Sequence, residues 1–395
     1  SDEKKRNELV SQDESSAEII KPLLKGTDLS RYHIDNQSRY LIYSKVGINI
    51  DNYPAVKNHL SKYKDQIGDT ATDEEWYELQ QDQEEYEAFF ENPKIVYPDI
   101  SKECSFAMDT SGYYMVNTCY FVPSDSYALL AVLNSTPVNW YYQFVTSEYR
   151  GGYQRSFTHA IKGLPVPTSL ADKQDNDVEE LADLAEELTE SRQTREALNL
   201  DLLDYIRPYE DGRKLADVGI YQPPEGVAES IIAETTETRD SLRVGSVSVT
   251  ENGSDVVISL SARYKPEDEE EFETDRWGYT ETELIPAMEF VGLDDRTRSL
   301  LAEFVEYAVS EGDGFANFRD NATSTTSLVD RLEELTLPAI DDIEDDLERY
   351  LDRKEHAEKL EVKISDLDSQ IDNKVYELFN LDEADIQVIE EVTEG

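Results

Sequence analysis

VNWYYQFVTSEYRGGYQRSFTHAIKGLPVP, residues 138–167, is the stretch from which the rest of the chain is read. Trp140, Tyr141, Tyr142 and Phe144 form a dense aromatic run that leads into Arg150-Gly151-Gly152-Tyr153-Gln154-Arg155. Leu164-Pro165-Val166-Pro167 closes it. The whole chain has 395 residues and a formal net charge of −50, so a place where cations, rings and flexible backbone coincide is uncommon in it. Such a mixture suits contact with a nucleic acid: guanidinium groups for acceptor-rich edges and phosphates, rings for bases, and glycines where backbone must come close.

Composition limits the alternatives. With 38% hydrophobic residues, 24 Tyr and 12 Phe, the chain has the material for real cores and is not an acidic disordered protein. Its 87 Asp plus Glu against 37 Lys plus Arg exceed what ion pairs can absorb, so most carboxylates are expected on solvated surface. Adaptation to molar salt explains this most simply, since self-repulsion is screened where the Debye length is about 3 Å. The charge is also uneven. Residues 1–168 carry 16 basic and 25 acidic side chains, net −9, whereas residues 169–395 carry 21 and 62, net −41. The first part is thus spared acidification, as a surface facing a polyanion must be.

Cys104 and Cys119 stand alone and His33, His59, His159 and His356 are scattered, so no zinc-ligand spacing is present. Two unpaired cysteines, no apolar run of membrane-spanning length and no signal peptide predict a reducing, cytoplasmic setting without a membrane partner. The polar opening SDEKKRNEL reads as a linker, residues 1–18, from a catalytic half that is missing.

Taken in order, residues 19–168 predict an α+β unit. Pro22 and Gly26 bracket a turn carrying Lys21, Lys25 and Arg31, and Arg39–Tyr43 reads as a strand. A helix opens at Tyr53-Pro54, and a second is expected over Glu74–Phe90, capped by Asp73, with Trp76, Leu79, Tyr86, Phe89 and Phe90 as its core stripe. From Pro93 the period becomes two, giving consecutive strands at 94–97, 105–108, 113–116 and 118–122. A helix capped by Ser124 follows, and helices are expected to cover one side of the sheet.

Beyond Pro167 the spacing is that of helices packing through a narrow seam. Val178, Leu181, Ala185 and Leu188 form one run, in the segment 169–206. Ala357, Leu360, Ile364, Leu367 and Ile371 form another, in the segment 336–395, extended upstream by Ile340, Ile343, Leu347 and Leu351, with Asn380 as its stop. Two such runs predict a long antiparallel helical pair. Between them, residues 207–335 read as a small acidic α/β insertion with a hairpin, Leu242–Tyr264, around Asn252-Gly253, and further strands at Trp277–Tyr279 and Ala287–Phe290. Its Glu267–Glu271 run argues against direct DNA contact.

No catalytic signature is present: no glycine-rich phosphate loop, no GxSxG, no HExxH, and no Asn/Asp-Pro-Pro-Tyr/Phe methyltransferase motif. Asp352-x-Lys354, Glu361-x-Lys363 and Asp372-x-Lys374 fit the acidic-x-Lys pattern of metal-dependent nucleases. They fall in a helix rich in Glu and Lys, where chance supplies the pattern. The chain is therefore expected to hold no active site, metal or cofactor of its own.

IIKPLLKGTDLSRY, YLIYS, YPAVKNHL, WYEL, NPKIVYPDIS, YALLAVLNS, RGGYQR and LPVP, in this order over Ile19 to Thr168, resemble the TaqI-like C-terminal specificity domain of adenine-N6 DNA methyltransferases in type IIG restriction-modification and phage-exclusion systems. Ile371–Glu391 looks like the closing helix and cap of that family. The insertion at 207–335 departs from its common pattern. The resemblance implies that this piece selects a sequence in double-stranded DNA. A methyltransferase domain in cis would then flip and methylate an adenine with S-adenosylmethionine, Mg2+ being a further candidate in that missing part.

On that basis Arg150 and Arg155 are candidates for bidentate reading of guanine, Gly151 and Gly152 for close backbone approach, and Tyr153 for stacking. Lys21, Lys25, Arg31, Arg39 and Lys94 are candidates for contacts to the DNA backbone. The bland readings stay open: Arg150 paired with Glu148, Tyr153 in a core, and Trp140, Tyr141 and Tyr142 as packing. A protein-interaction scaffold without DNA reading is the alternative function.

Overall fold

The computed structural model describes residues 2–35, 37–67, 75–79, 84–172, 175–239, 241–266, 272–311, 318 and 320–393. The fold is α+β, in two compact units: residues 1–198 with 357–395, and residues 199–356.

In the first unit the strands form several small sheets instead of one. Ile20–Leu24 is the middle strand of the first, antiparallel to Tyr40–Ile42 and parallel to Tyr114–Met115. Lys94–Pro98 is the middle strand of the second, between Ala107–Asp109 and Cys119–Val122, both antiparallel. Alternation alone places 113–116 among its sequence neighbours, but Tyr114–Met115 leaves them for the N-terminal strand. There the Tyr114 ring packs against Tyr43 and Phe90 at 4.9 and 4.8 Å. The third sheet runs Ser147–Arg150, Tyr153–Arg155, Ile100–Ser101.

Helix starts follow local chemistry. Pro54 opens Pro54–Ser61 from its first turn, where the missing N–H removes no bond. Tyr127–Asn134 is capped by Ser126, whose hydroxyl accepts from the Leu129 amide at 3.2 Å, while Ser124 sits two residues earlier and accepts from Ser126. Among the described residues, the helix expected over Glu74–Phe90 is helical at Glu84–Glu91, and residues 74 and 80–83 lie outside them. Glu75–Leu79 forms a turn, and Asp73 lies outside the described residues. Phe90 alone of its aromatic residues is buried, with Tyr86 and Phe89 at the rim against Phe121.

Helices Asn176–Glu196 and Ile340–Phe379 meet in the first unit through residues 357–379. Ion pairs Lys374–Asp177, Lys363–Glu187 and Arg195–Glu361, at 3.1, 2.8 and 2.7 Å, run in opposite residue order along the two helices. Val178, Leu181, Ala185 and Leu188 on one, and Ile364, Leu367 and Ile371 on the other, are buried in a single core with Ile95, Tyr97, Phe106 and Leu130. The helices thus complete the core beneath the second sheet. Asn380 ends the long helix with φ +55°, and the Leu381 amide donates back to the Tyr376 carbonyl at 3.1 Å.

The second unit is an antiparallel sheet, Ile220–Gln222, Ile285–Val291, Asp255–Tyr264, Arg243–Asn252, with Thr280–Glu281 beside Asp255–Tyr264 and helix Asp295–Glu311 packed on it. Its hairpin turns at Gly253, φ +67°. Trp277–Tyr279 is a turn, not a strand, and Glu267–Glu271 lies outside the described residues. Composition places the ends of this unit at 207 and 335. Its core also takes in Leu202, Ile206, Ile343, Leu347 and Tyr350, so Ile343 and Leu347 belong here and not to the helical pair.

Among the described residues no helix is long and apolar enough to cross a membrane. The acidic-x-Lys residues serve packing. Lys354 binds Glu303, Lys363 binds Glu187, Lys374 binds Asp177, and Asp372 accepts from the Thr136 amide and hydroxyl at 2.8 and 2.6 Å.

Candidate nucleic-acid interface

The opening stretch folds as a helix, Thr136–Val145, followed by an exposed hairpin, Ser147–Arg150 with Tyr153–Arg155. Ser147 faces Arg155, Glu148 faces Gln154, and Arg150 faces Tyr153. The register slips between Glu148 and Arg150, which makes Tyr149 the extra residue of a bulge. The two turn residues, Gly151 and Gly152, have φ +62° and +79°. A two-residue turn that matches strand twist needs this left-handed backbone at both positions, and glycine adopts it without steric cost. A Cβ at either glycine would meet nothing within 4 Å, so the requirement is conformational and the tip is open.

The hairpin root is fixed, in contrast to its tip. Gln154 and Arg155 pair with Ser101 and Ile100. The Ser156 amide donates to the Asp99 carbonyl at 2.8 Å. Tyr142, buried within its helix, places its hydroxyl 2.7 Å from that of Ser156 and 3.3 Å from that of Ser101. Burial raises the Tyr142 phenol above its ordinary pKa, so it stays a neutral hydrogen-bonding hydroxyl.

The predicted site residues divide sharply. Arg150 is exposed and makes no ion pair among the described residues, with Glu148 or with any other carboxylate. Tyr153 is 43% exposed, with the Lys102 ammonium 5.4 Å from its ring centre, so it is not a core residue. Arg155 is half-exposed. Its guanidinium holds Asp99 at 3.2 Å and lies over Phe157 and Tyr149 at 5.1 and 5.9 Å. Lys25 is exposed on the N-terminal turn.

The other cations expected on the DNA backbone are engaged inside the protein. Lys94 is fully buried; its ammonium binds Asp109 and donates to the Phe90 carbonyl at 2.6 Å, so it has no surface on which to meet a phosphate. Arg31 forks onto Asp368 at 2.8 and 2.9 Å and donates to the Asn134 carbonyl, tying the N-terminal loop to the long helix. Arg39 is paired with the buried Asp28. Lys21 binds Glu91 at 2.7 Å. Alternating strand pattern conceals Lys94, because a lysine on a strand reads as its exposed face unless the buried partner is known.

Sequence reasoning did not single out Lys102, Tyr149 and Phe157. Tyr149 and Phe157 are 59% and 38% exposed and flank Arg155. Lys102 reaches the hairpin only through the pairing of Ile100–Ser101 with Tyr153–Arg155, a contact across some fifty residues that leaves no local signal.

What results is a fixed two-stranded ribbon with an exposed guanidinium, unpaired among the described residues, at its tip and rings on its flanks. Within residues 138–168 three cations, Arg150, Arg155 and Lys162, face one carboxylate, Glu148. Residues 21–166 match the TaqI-like C-terminal specificity domain. The hairpin lies inside the matched residues, as does the second sheet, which shares its core with the helical pair. The match covers 146 of 395 residues, so it leaves the second unit and the helical pair unassigned. Among solved structures, the chain is similar to the type IIL restriction-modification enzyme MmeI, solved in complex with DNA. The likeness has 13% identity and TM-score 0.33, over 49% of this chain and 26% of that one. The chain therefore spans about a quarter of the length of that solved relative.

Proposed function

We propose that the specificity domain reads a sequence in double-stranded DNA for a restriction-modification enzyme, and that the Ser147–Arg155 hairpin is the reading element. The observation that carries this is the free, exposed Arg150 at the tip of a two-stranded ribbon whose root is held by Tyr142, Ser156 and Asp99. The major groove admits a two-stranded ribbon, and an arginine fork matches the O6 and N7 acceptors of guanine there. Gly151 and Gly152 keep the tip narrow, and Tyr149 and Tyr153 stand beside it to contact sugar, phosphate or a displaced base. Arg155, already fixed on Asp99, is a positioning residue for these rings. Lys25, Lys102 and Lys162 supply backbone contacts.

The balance of charge sets how such a surface works. A chain of net −50 gains little from non-specific counterion release at high salt, so selection rests on base edges and shape. In this proposal the chemistry is adenine-N6 methylation by a methyltransferase domain in cis that binds S-adenosylmethionine, as in type IIG systems, in a salt-adapted cell.

The test is made in the full-length enzyme. Arg150→Ala is expected to relax the methylated motif at one position, since a bidentate arginine–guanine pair discriminates by about 1–3 kcal/mol. Arg155→Ala is expected to lower the methylation rate across all sites. Methylated adenines mapped genome-wide in hosts carrying each variant give both readouts. An unchanged motif and rate in both variants refutes the assignment of the hairpin.

A further inference from the structure

The helix before Pro93 leaves two rings of its expected core stripe open. Tyr86 and Phe89 are 45% and 43% exposed, across a groove from Cys119–Val122, the outer strand of the second sheet. We propose that this groove receives a nucleobase displaced from the duplex that the hairpin holds, an inference that rests on the hairpin's contact with DNA.

The groove has a volume of about 610 Å³, within the range of about 300–1,000 Å³ in which small ligands are enclosed. Because Cys119–Val122 is an outer strand, rings from both of its faces border the opening. Tyr120 stacks on Tyr97 at 5.6 Å and 28°, and Phe121 lies 6.3, 6.1 and 5.7 Å from Tyr86, Phe89 and Phe90. Asn117 and Thr158, both exposed, add an amide and a hydroxyl, with donors and acceptors for the edge of a base. Among the described residues no charged side chain lines the groove. Residues 80–83, which precede the helix and lie outside the described ones, are Gln-Gln-Asp-Gln and hold no apolar side chain to fill it.

Chemistry and place together name the occupant. A phosphate or a charged peptide finds no counter-charge in such a lining, whereas a base offers a flat face to the rings and a polar edge to Asn117 and Thr158. A paired base cannot enter, since its faces are covered in the stack; an extruded one can. The groove is also tied to the root of the hairpin. Asp99, whose carboxylate holds Arg155 at 3.2 Å, donates its amide to the carbonyl of Thr118 at 2.8 Å, next to Asn117. From the hairpin itself, Phe157 lies under Arg155 at 5.1 Å and stacks on His159 at 5.6 Å, and Thr158 between them lines the groove. A base leaving a duplex seated on the hairpin thus meets this rim within a few residues of Arg155.

The test uses the full chain at low salt and the anisotropy of three labelled duplexes of one sequence: fully paired, carrying one extrahelical adenine, and carrying an abasic residue in its place. The extrahelical adenine is expected to raise affinity at least about fivefold over the paired duplex, the scale of one base stacked on a ring. The abasic duplex is expected to bind as the paired one does. Tyr86→Ala with Phe89→Ala is expected to abolish the difference and leave the paired duplex unaffected, while Tyr86→Phe with Phe89→Tyr keeps it; thermal melts show that each is folded. Asn117→Ala, at an exposed position, is expected to weaken only the extrahelical duplex, about two- to fivefold, and serves should the alanine pair not fold. Binding of none of the duplexes, or of all three equally, overturns the proposal. So does an abasic duplex bound as tightly as the extrahelical adenine, which makes bending the cause, or a dimer of the chain lost in the alanine pair, which makes a second copy the occupant. The methylated motif of Arg150→Ala decides the hairpin separately, since the ratio between extrahelical and paired duplexes does not depend on which base Arg150 contacts.

Discussion

Replacing Lys94 by methionine separates a structural lysine from a DNA-contacting one. Both Lys94 and Asp109 have side chains with 0% exposure. Removing the ammonium leaves a buried carboxylate without its counter-charge and the Phe90 carbonyl without its donor. Breaking such a pair from one side typically costs about 3–5 kcal/mol. Asp109 retains the amides of Ser111, Gly112 and Tyr113 at 2.8, 3.1 and 2.9 Å, which places the expected loss near the lower end, about 3 kcal/mol. Urea unfolding followed by tryptophan fluorescence resolves it, because Trp76 and Trp140 report the first unit and Trp277 the second. The first-unit transition should move and the second should not. Adding Asp109→Asn to Lys94→Met should recover part of the loss by removing the unpaired charge. A first-unit shift below about 1 kcal/mol, or a double variant less stable than Lys94→Met alone, refutes the reasoning.

The remaining expectations are smaller and local. Gly152→Val should cost about 1–2 kcal/mol through its left-handed backbone alone, and Gly152→Asn clearly less; thermal melts of the two variants compare them. Tyr142→Phe removes the hydroxyl between Ser156 and Ser101 and should cost about 1 kcal/mol in denaturant unfolding, with faster amide exchange at Ser156. Asp372 is raised above its ordinary pKa chiefly by burial, opposed by the Thr136 hydrogen bonds, with Asp368 and Arg31 as its charged neighbours. A carboxyl raised on folding contributes stability when protonated and loses it as pH rises through the folded value. Asp372→Asn should therefore flatten the dependence of Tm on pH from about 4 upward. A profile parallel to that of the parent chain counts against it.

Much of the fold is legible because local rules and burial agree. The heptad positions Leu181, Ala185, Leu188 and Ile371 are all fully buried, Pro54 and Asn380 bound helices as their backbone chemistry requires, and Asn252-Gly253 turns a hairpin. Illegible features depend on partners distant in sequence. Tyr114–Met115 pairs with Leu23 and Leu24, ninety residues away, and nothing in its alternation distinguishes that from pairing with a neighbour. Ile343 and Leu347 keep the same helical spacing as Ile364 and Leu367 yet serve a different core, since periodicity gives the buried face of a helix but not what buries it.

The candidate site follows the same division, and the chain's own composition explains why. With more than two carboxylates for each cation, a lysine or arginine at a random place finds a partner, and Lys21, Arg31, Arg39 and Lys94 have all done so. Residue type therefore says little about which cations are available; pairing does. Arg150 escapes because the residues around it, Tyr149, Gly151, Gly152 and Tyr153, hold no carboxylate, and because it stands at an open hairpin tip where a Cβ at either glycine would meet nothing within 4 Å. Lack of a partner is not enough by itself, since Arg207, Arg213 and Arg353 also make no ion pair among the described residues; what sets Arg150 apart is its place at the glycine tip of a ribbon flanked by Tyr149 and Tyr153.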